Sequence, residues 1–278
     1  MPLNLQPMQA PALPTATATL PKSTIAPTAT TWYGSFSGLR RRLPGVCALC
    51  ARTGPHVLCE GCTADYFGTP KHRCACCASP LPGAASTPAT CAQCLRAPPA
   101  FDATIASADY AAPIDRLVLE LKFGNRLALA TLFAERLYAA MTAAIAAPTA
   151  VHANLTLPMV LTAVPLGAQR LQQRGFNQAL EIAKPLAAAL DITLAPRMLV
   201  RNRETAAQAQ LSPAERRQNL RGAFHLAPAW MARVRGCHVG VVDDVMTTGQ
   251  TLNEIAATLK RFGALRVTNL VFARTLLK

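Results

Sequence analysis

The stretch from Gly240 to Leu252, "GVVDDVMTTGQTL", constrains the fold more than any other. Valines lead directly into Asp243 and Asp244, and a hydroxyl-rich turn with Gly249 follows. Acids are depleted in strands, and a sheet core does not tolerate an unpaired charge. The run therefore reads as a buried strand, "HVGVV", that delivers two carboxylates to its own carboxyl end and then turns into a helix. In open α/β sheets that end is where ligands bind.

The flanking sequence supplies the rest of such a sheet. Leu117 and Leu121 form one helical stripe between Pro113 and Ala147. Leu129, Phe133, Leu137 and Met141 form another, and "GNR" at 124–126 separates the two. "MVLTAV", 159–164, reads as a buried strand stopped by Pro165. "NQALEIAKPLAAAL" is helical, with Pro185 as a kink or boundary. "RMLV" is a further strand candidate. "TLNEIAATLKRFG" places Leu252, Ile255, Leu259 and Phe262 on one face and ends on Gly263, and "ALRVTNLVFA" is the last strand. Strands alternating with helices imply βαβ units and a parallel sheet flanked by helices.

Two adjacent residues leaving a strand point to opposite sides, so one carboxylate faces the crevice and the other faces loop or solvent. Carboxylates there accept paired sugar hydroxyls. Met246, Thr247, Thr248, Gly249, Gln250 and Thr251 lead into the next helix, whose N-terminal N–H groups favour a phosphate. The stretch suits a ribose 5′-phosphate, with acids on the sugar and the loop on the phosphate. It is not a P-loop, since "GxxxxGK[ST]" is absent. A second loop, "AVPLGAQRLQQRGFNQAL", follows another strand end. Leu166 and Gly167 provide a tight turn for a pyrophosphate, and Arg170 and Arg174 provide charge and bidentate donors. A third segment, 201–224, crowds Arg216, Arg217 and Arg221 after a helix start at Ser212-Pro213. Alone it reads as a solvated surface helix.

Nine of ten cysteines fall between Cys47 and Cys94. They form four C-x₂-C units: Cys47/Cys50, Cys59/Cys62, Cys74/Cys77 and Cys91/Cys94. Two such units complete a tetrahedral Cys₄ zinc site, so four imply two structural zinc ions. Sequential pairing of the units and a cross-braced pairing are both open. Cys76 adjoins Cys77 and can replace it in another register. Cys237 is remote. His56 and His72 are not needed as ligands, and no open coordination position for catalytic zinc is implied. Lys71, His72 and Arg73 make a small basic patch suggestive of nucleic acid.

The formal net charge of +14 suits anionic partners such as phosphorylated metabolites or nucleic acid. Aromatics, at 5%, are few for an extended base-stacking platform. No apolar run approaches the roughly 20 residues that span a bilayer, and no secretory signal is visible, so a cytoplasmic location is expected. Residues 1–44, rich in Pro, Ala and Thr and without Asp or Glu, read as a disordered tail. A double zinc ribbon over 45–97 and an α/β domain over 98–278 follow.

The acid-turn motif resembles the phosphoribosyl-pyrophosphate (PRPP) motif of type I phosphoribosyltransferases. "VPLGAQRLQQRGFNQA", "ETAAQAQLSPAERRQNLRGAF", "VVDDVMTTGQT", "LKFGNR" at 121–126 and the cysteine module together resemble the ComF family, the ComFC- and GntX-like proteins, over residues 45–278. That resemblance implies a type I phosphoribosyltransferase-like fold and a site for PRPP with Mg²⁺, with the 201–224 segment near the mobile catalytic loop. It also implies a link to DNA uptake, natural competence or use of DNA as nutrient. Single-stranded DNA and competence or DNA-processing proteins are the implied partners. It names no acceptor and leaves open whether transfer occurs; the alternative is a non-catalytic PRPP sensor that contacts single-stranded DNA.

Overall fold

The computed structural model describes residues 45–68, 71–83, 90–146, 155–202 and 222–276. The expected tail and most of the arginine-rich third segment, 203–221, lie outside them. Residues from Pro44 onward form one compact unit.

Five parallel strands make the main sheet: β3 (Ala103–Tyr110), β4 (Val160–Ala163), β5 (Thr193–Leu194), β8 (His238–Met246) and β9 (Arg266–Thr275), in the order β3-β9-β8-β4-β5. Two antiparallel pairs lie outside it. One joins β1 (Gly45–Val46) to β2 (Thr53–Gly54), and the other joins β6 (Leu199–Arg201) to β7 (Phe224–Leu226). The "RMLV" strand thus belongs to a small hairpin and not to the main sheet. Its edge position explains this: Leu199 is buried but Val200 is half-exposed, the alternation of a strand with one wet face.

The expected helical stripes fold as two helices, α3 (Ile114–Phe123) and α4 (Ala128–Ala146), with all six stripe residues fully buried. The next long helix, α6 (Gln178–Leu190), runs straight through Pro185. By length and composition α4 is apolar enough to cross a bilayer, contrary to the expectation that no stretch would be. Here its apolar stripe packs on the sheet, where Phe133 stacks on Phe272 of β9 at 3.4 Å between ring centroids. Helix α7 (Gln250–Arg261) buries Leu252, Ile255 and Leu259. Crossovers are right-handed, so α4 and α6, which step the sheet one way, share a face, while α7, stepping back, covers the other.

β3 had no sequence signal. Its "ATIASADY" is rich in residues that are poor strand formers, and it becomes a strand because β9 offers it a partner along Ala103–Tyr110. The cysteine module, with helices α1 (Glu60–Phe67) and α2 (Ala92–Arg96), packs on this same side of the sheet. Phe67 meets Phe272 at 6.1 Å between centroids, and Asp109 of β3 pairs with Lys71 and Arg73, each at 2.6 Å. Two of the three residues of the basic patch are therefore engaged by the protein's own carboxylate.

At the other end of β8, His238 is buried between Thr156 and Thr268, with its Nε2 2.8 Å from the Thr268 hydroxyl. Burial, with Arg266 adding to it, pulls its pKa down to about 4. The unfolded chain, with an ordinary histidine near 6.5, binds this proton more readily than the fold does. Stability is then highest above pH ~6.5 and falls as pH drops toward ~4. A melting series over that window should show the fall, and His238→Gln should flatten part of it. A series unaltered by the substitution would remove His238 from the account.

Candidate functional site

The strand order reverses between β4 and β8: β5 continues outward from β4, whereas β8 returns to its other side. Such switch points open a crevice at the carboxyl edge. Pairing with β4 stops at Val242, but pairing with β9 continues to Met246. β8 therefore runs four residues beyond the expected "HVGVV" with only one neighbour, and Asp243 and Asp244 lie in that half-paired extension.

A cleft of about 290 Å³ occupies this place. Asp243, Asp244, Met246, Thr247, Thr248, Gly249, Gln250 and Thr251 line it, as do Leu166, Arg170 and Arg174 of the second loop. Gly167 stands just behind, as the N-cap residue of the short helix α5 (Ala168–Arg174). Both acids stand at the wall of the cleft. Each bends onto the backbone ahead of it: Asp243 Oδ1 accepts from the Asp244 amide at 2.9 Å, and Asp244 Oδ1 accepts from the Val245 amide at 2.8 Å.

Burial, then the neighbouring Asp244 charge, pushes Asp243 up to about 8, against the pull of Lys122. Asp244 pairs with Lys122, Oδ2 to Nζ at 2.9 Å. Like charges this close favour one proton between them.

Gly249 begins α7 with a left-handed φ of +78°, and a Cβ there would collide with Met246 Cε. The turn closes tightly only with glycine, leaving Thr247 and Thr248 exposed at the helix N-terminus. Across the cleft, Asn177 caps α6 by accepting from the Ala179 amide and donates to Val164 O at 3.0 Å, which fixes the second loop to β4. Arg174 donates to Gln178 Oε1 at 2.9 Å and lies over the exposed Phe123 ring. Gln178 Nε2 is buried without a hydrogen bond among the described residues, and Asp244 Oδ2 has only its ion pair with Lys122. Both side chains line the cleft.

Sequence reasoning missed Lys122, Tyr110, Asn177, Gln178 and Arg201 as lining residues. Lys122 had a signal: a lysine followed by an exposed Phe at the end of an otherwise amphipathic helix. Tyr110 had none, because β3 itself had none.

The cysteine sulfurs gather into two groups, Cys47/Cys50/Cys59/Cys62 and Cys74/Cys77/Cys91/Cys94, each with all ligand atoms within 4.8 Å of one another. The C-x₂-C units group in sequential order, and Cys76 and Cys237 stay outside. The donor set fits zinc: four soft sulfurs from two knuckles in each group. A hydrogen bond from Cys74 draws the Cys77 thiol down to about 4 against the cost of burial. Burial raises Cys47, but backbone donors led by Cys50 overcome it and bring the thiol to about 6. Magnesium, a hard ion, finds no such cage. Among the described residues, the cleft carboxylate of Asp244 is already paired with Lys122.

Residues 177–275 match the family model of the phosphoribosyl transferase domain. Over 242 residues the chain is 36% identical to DNA utilization protein YhgH of Escherichia coli O157:H7, covering 84% of this chain and 99% of that protein. It is 35% identical over 206 residues to Competence protein F of Haemophilus influenzae, covering 74% of this chain and 85% of that one. A solved glutamine PRPP amidotransferase from B. subtilis matches at 26% identity over 41% of this chain and 22% of its own. Its TM-score of 0.28 is too low to bear on the architecture.

Elemental analysis of the purified protein should find two zinc ions per chain. Structural zinc contributes apparent free energies of about 10–16 kcal/mol in finger peptides, so chelation should lower the melting temperature sharply. Zero zinc, with disulfides in its place, would refute the assignment of both clusters.

Proposed function

Because the chain belongs to the ComF family, that of YhgH and Competence protein F, we propose that its cleft binds PRPP with Mg²⁺ in a role tied to DNA uptake or utilisation. The observation that carries this reading is the convergence of an acid pair, a Thr-Thr-Gly helix start and an arginine-bearing loop on one switch-point cleft. In it, Asp243 and Asp244 accept the ribose hydroxyls. Residues 247–251 donate to the 5′-phosphate from backbone N–H groups and threonine hydroxyls. Leu166, Gly167, Arg170 and Arg174 hold the pyrophosphate. Gln178 Nε2, buried and unpaired, supplies one further donor. Mg²⁺, carried on the ligand's oxygens, would supply charge neutralisation at the pyrophosphate, which Arg170 and Arg174 would flank. Lys122 gives up Asp244 or stays to share it with the sugar. The ribbons, residues 45–97, serve as a zinc-held module on the transferase-like domain, 98–278.

Whether a phosphoribosyl group is transferred divides this reading from its alternative, a PRPP-sensing component that contacts single-stranded DNA. The alternative draws on the net charge of +14. The Lys71–Asp109–Arg73 ion pairs weaken it, because they take up the basic patch of the ribbon. Pyrophosphate release in the presence of candidate acceptors separates the two.

Calorimetric titration with Mg²⁺ and PRPP tests the site. Asp243→Asn/Asp244→Asn should lose about tenfold to a hundredfold in affinity, since a charge-assisted hydrogen bond contributes about 1.5–3 kcal/mol and about 1.4 kcal/mol is tenfold. Thr248→Val should act separately by removing a phosphate donor. Equal affinities for wild type and the double variant would reject the ribose assignment.

Asp243 gives a second signature. Its pKa of about 8 lies above the unfolded value, so the fold holds a proton that the unfolded chain has released, and stability falls as pH rises toward ~8. Asp243→Asn should therefore raise the melting temperature at pH ~8.5 while weakening PRPP binding. A carboxyl with only a structural role would lower it.

A further inference from the structure

Arg274 joins the second cysteine cluster to the turn after β8. It is 1% exposed, near the end of β9, and two residues beyond Phe272 on the same face. Its Nε donates to Cys77 O at 2.9 Å, and its Nη2 donates to Ser79 Oγ at 3.0 Å. Cys77 is a ligand of the second cysteine cluster, and its sulfur lies 3.2 Å from that same Ser79 hydroxyl. On its other side, Arg274 Nη1 donates to Met246 O at 3.1 Å and to Thr247 O, the two carbonyls that open the phosphate loop. One planar guanidinium thus holds the metal knuckle with one edge and the loop with the other, a reach that its rigid fork allows and a lysine lacks.

The charges around it do not balance without the cluster. No carboxylate among the described residues forms an ion pair with Arg274. The nearest acid in register is Asp109 on β3, already held by Lys71 and Arg73. Three cations therefore face one carboxylate. A buried charge is tolerated when it is compensated. A divalent ion held by four thiolates carries two net negative charges, which offset the buried Arg274 charge beside it.

We infer that the second cysteine cluster is a working part of the ligand cleft: loaded with a divalent metal, it anchors Arg274, and Arg274 positions the Met246–Thr247 backbone that starts the phosphate loop. Arg274 is a positioning residue here, and the first cluster, which it does not touch, has no such role. The inference rests on the PRPP reading only for the ligand's name; the coupling from cluster to loop stands apart from it.

The test compares wild type with four variants by elemental analysis, by amide exchange of residues 246–252, and by calorimetry with Mg²⁺ and PRPP. Cys91→Ser/Cys94→Ser should lose one zinc, speed exchange in the loop about tenfold and weaken PRPP binding by a similar factor. Cys50→Ser/Cys59→Ser should lose the other zinc and leave loop exchange and affinity within twofold of wild type. Ser79→Ala should keep both metals and still loosen the loop, so the result does not depend on a cluster variant that fails to fold. Arg274→Lys should fall between Ser79→Ala and Cys91→Ser/Cys94→Ser in loop exchange. Unchanged exchange after loss of the second cluster overturns the inference, as does an equal effect from loss of the first. Absence of zinc from the wild type overturns it too. Wild type that does not bind PRPP, with a loop that still answers to the second cluster alone, would sink the ligand assignment and leave the coupling standing.

Discussion

The unequal pairing of β8 is the constraint on which the rest depends. β9 accompanies this strand as far as Met246, whereas β4 leaves it at Val242. One ladder keeps the strand straight and rigid; the missing one exposes a flank of it to a cleft. Two carboxylates can stand there because the backbone beneath them stays hydrogen-bonded on the β9 side while their side chains reach a polar, partly hydrated space. Had both ladders ended together, the acids would belong to a loop. Had both continued, they would be buried against β4 at a cost the fold would not bear.

Charge is handled by opposing groups at close range. Lys122 reaches Asp244 from the end of α3, and Asp243 responds to the pair by holding its proton. Arg170 and Arg174 stand across the cleft. A ligand that brings hydroxyls to the acids and phosphates to the arginines replaces these internal compensations with its own. The buried Gln178 Nε2, which lacks a hydrogen bond among the described residues, is the atom that gains most from such an exchange.

The ribbons obey a different economy. They are too small for a core of their own, and their cysteine clusters stand where one would be. They are held to the sheet at three kinds of contact: a ring pair at Phe67 and Phe272, ion pairs at Asp109, and the Arg274 hydrogen bonds. All three land on the two neighbouring strands β3 and β9. This crowding onto one edge brings the second cysteine cluster within a single side chain of the Met246–Thr247 turn.

Much of this was legible in the chain. The helical stripes, the strands at 160–163 and 238–242, the C-x₂-C spacing and the acid-turn motif are local patterns, and local physics sets them: side-chain period, thiolate geometry, the rarity of acids at the end of an apolar run. Tertiary structure decided what depends on partners distant in sequence. β3 is a strand because β9 pairs with it; "RMLV" left the main sheet because Phe224–Leu226 pairs with it instead. Lys71 and Arg73 pair with the protein's own Asp109 because β3 places that carboxylate beside them. The same holds for Lys122 on Asp244 and for Arg274 between cluster and loop, contacts that span from 27 to 197 positions along the chain. A sequence pattern records what a residue is and what its near neighbours are. Which buried charge meets which counter-charge depends on the register of strands and the packing of helices, and those exist only once the chain has folded.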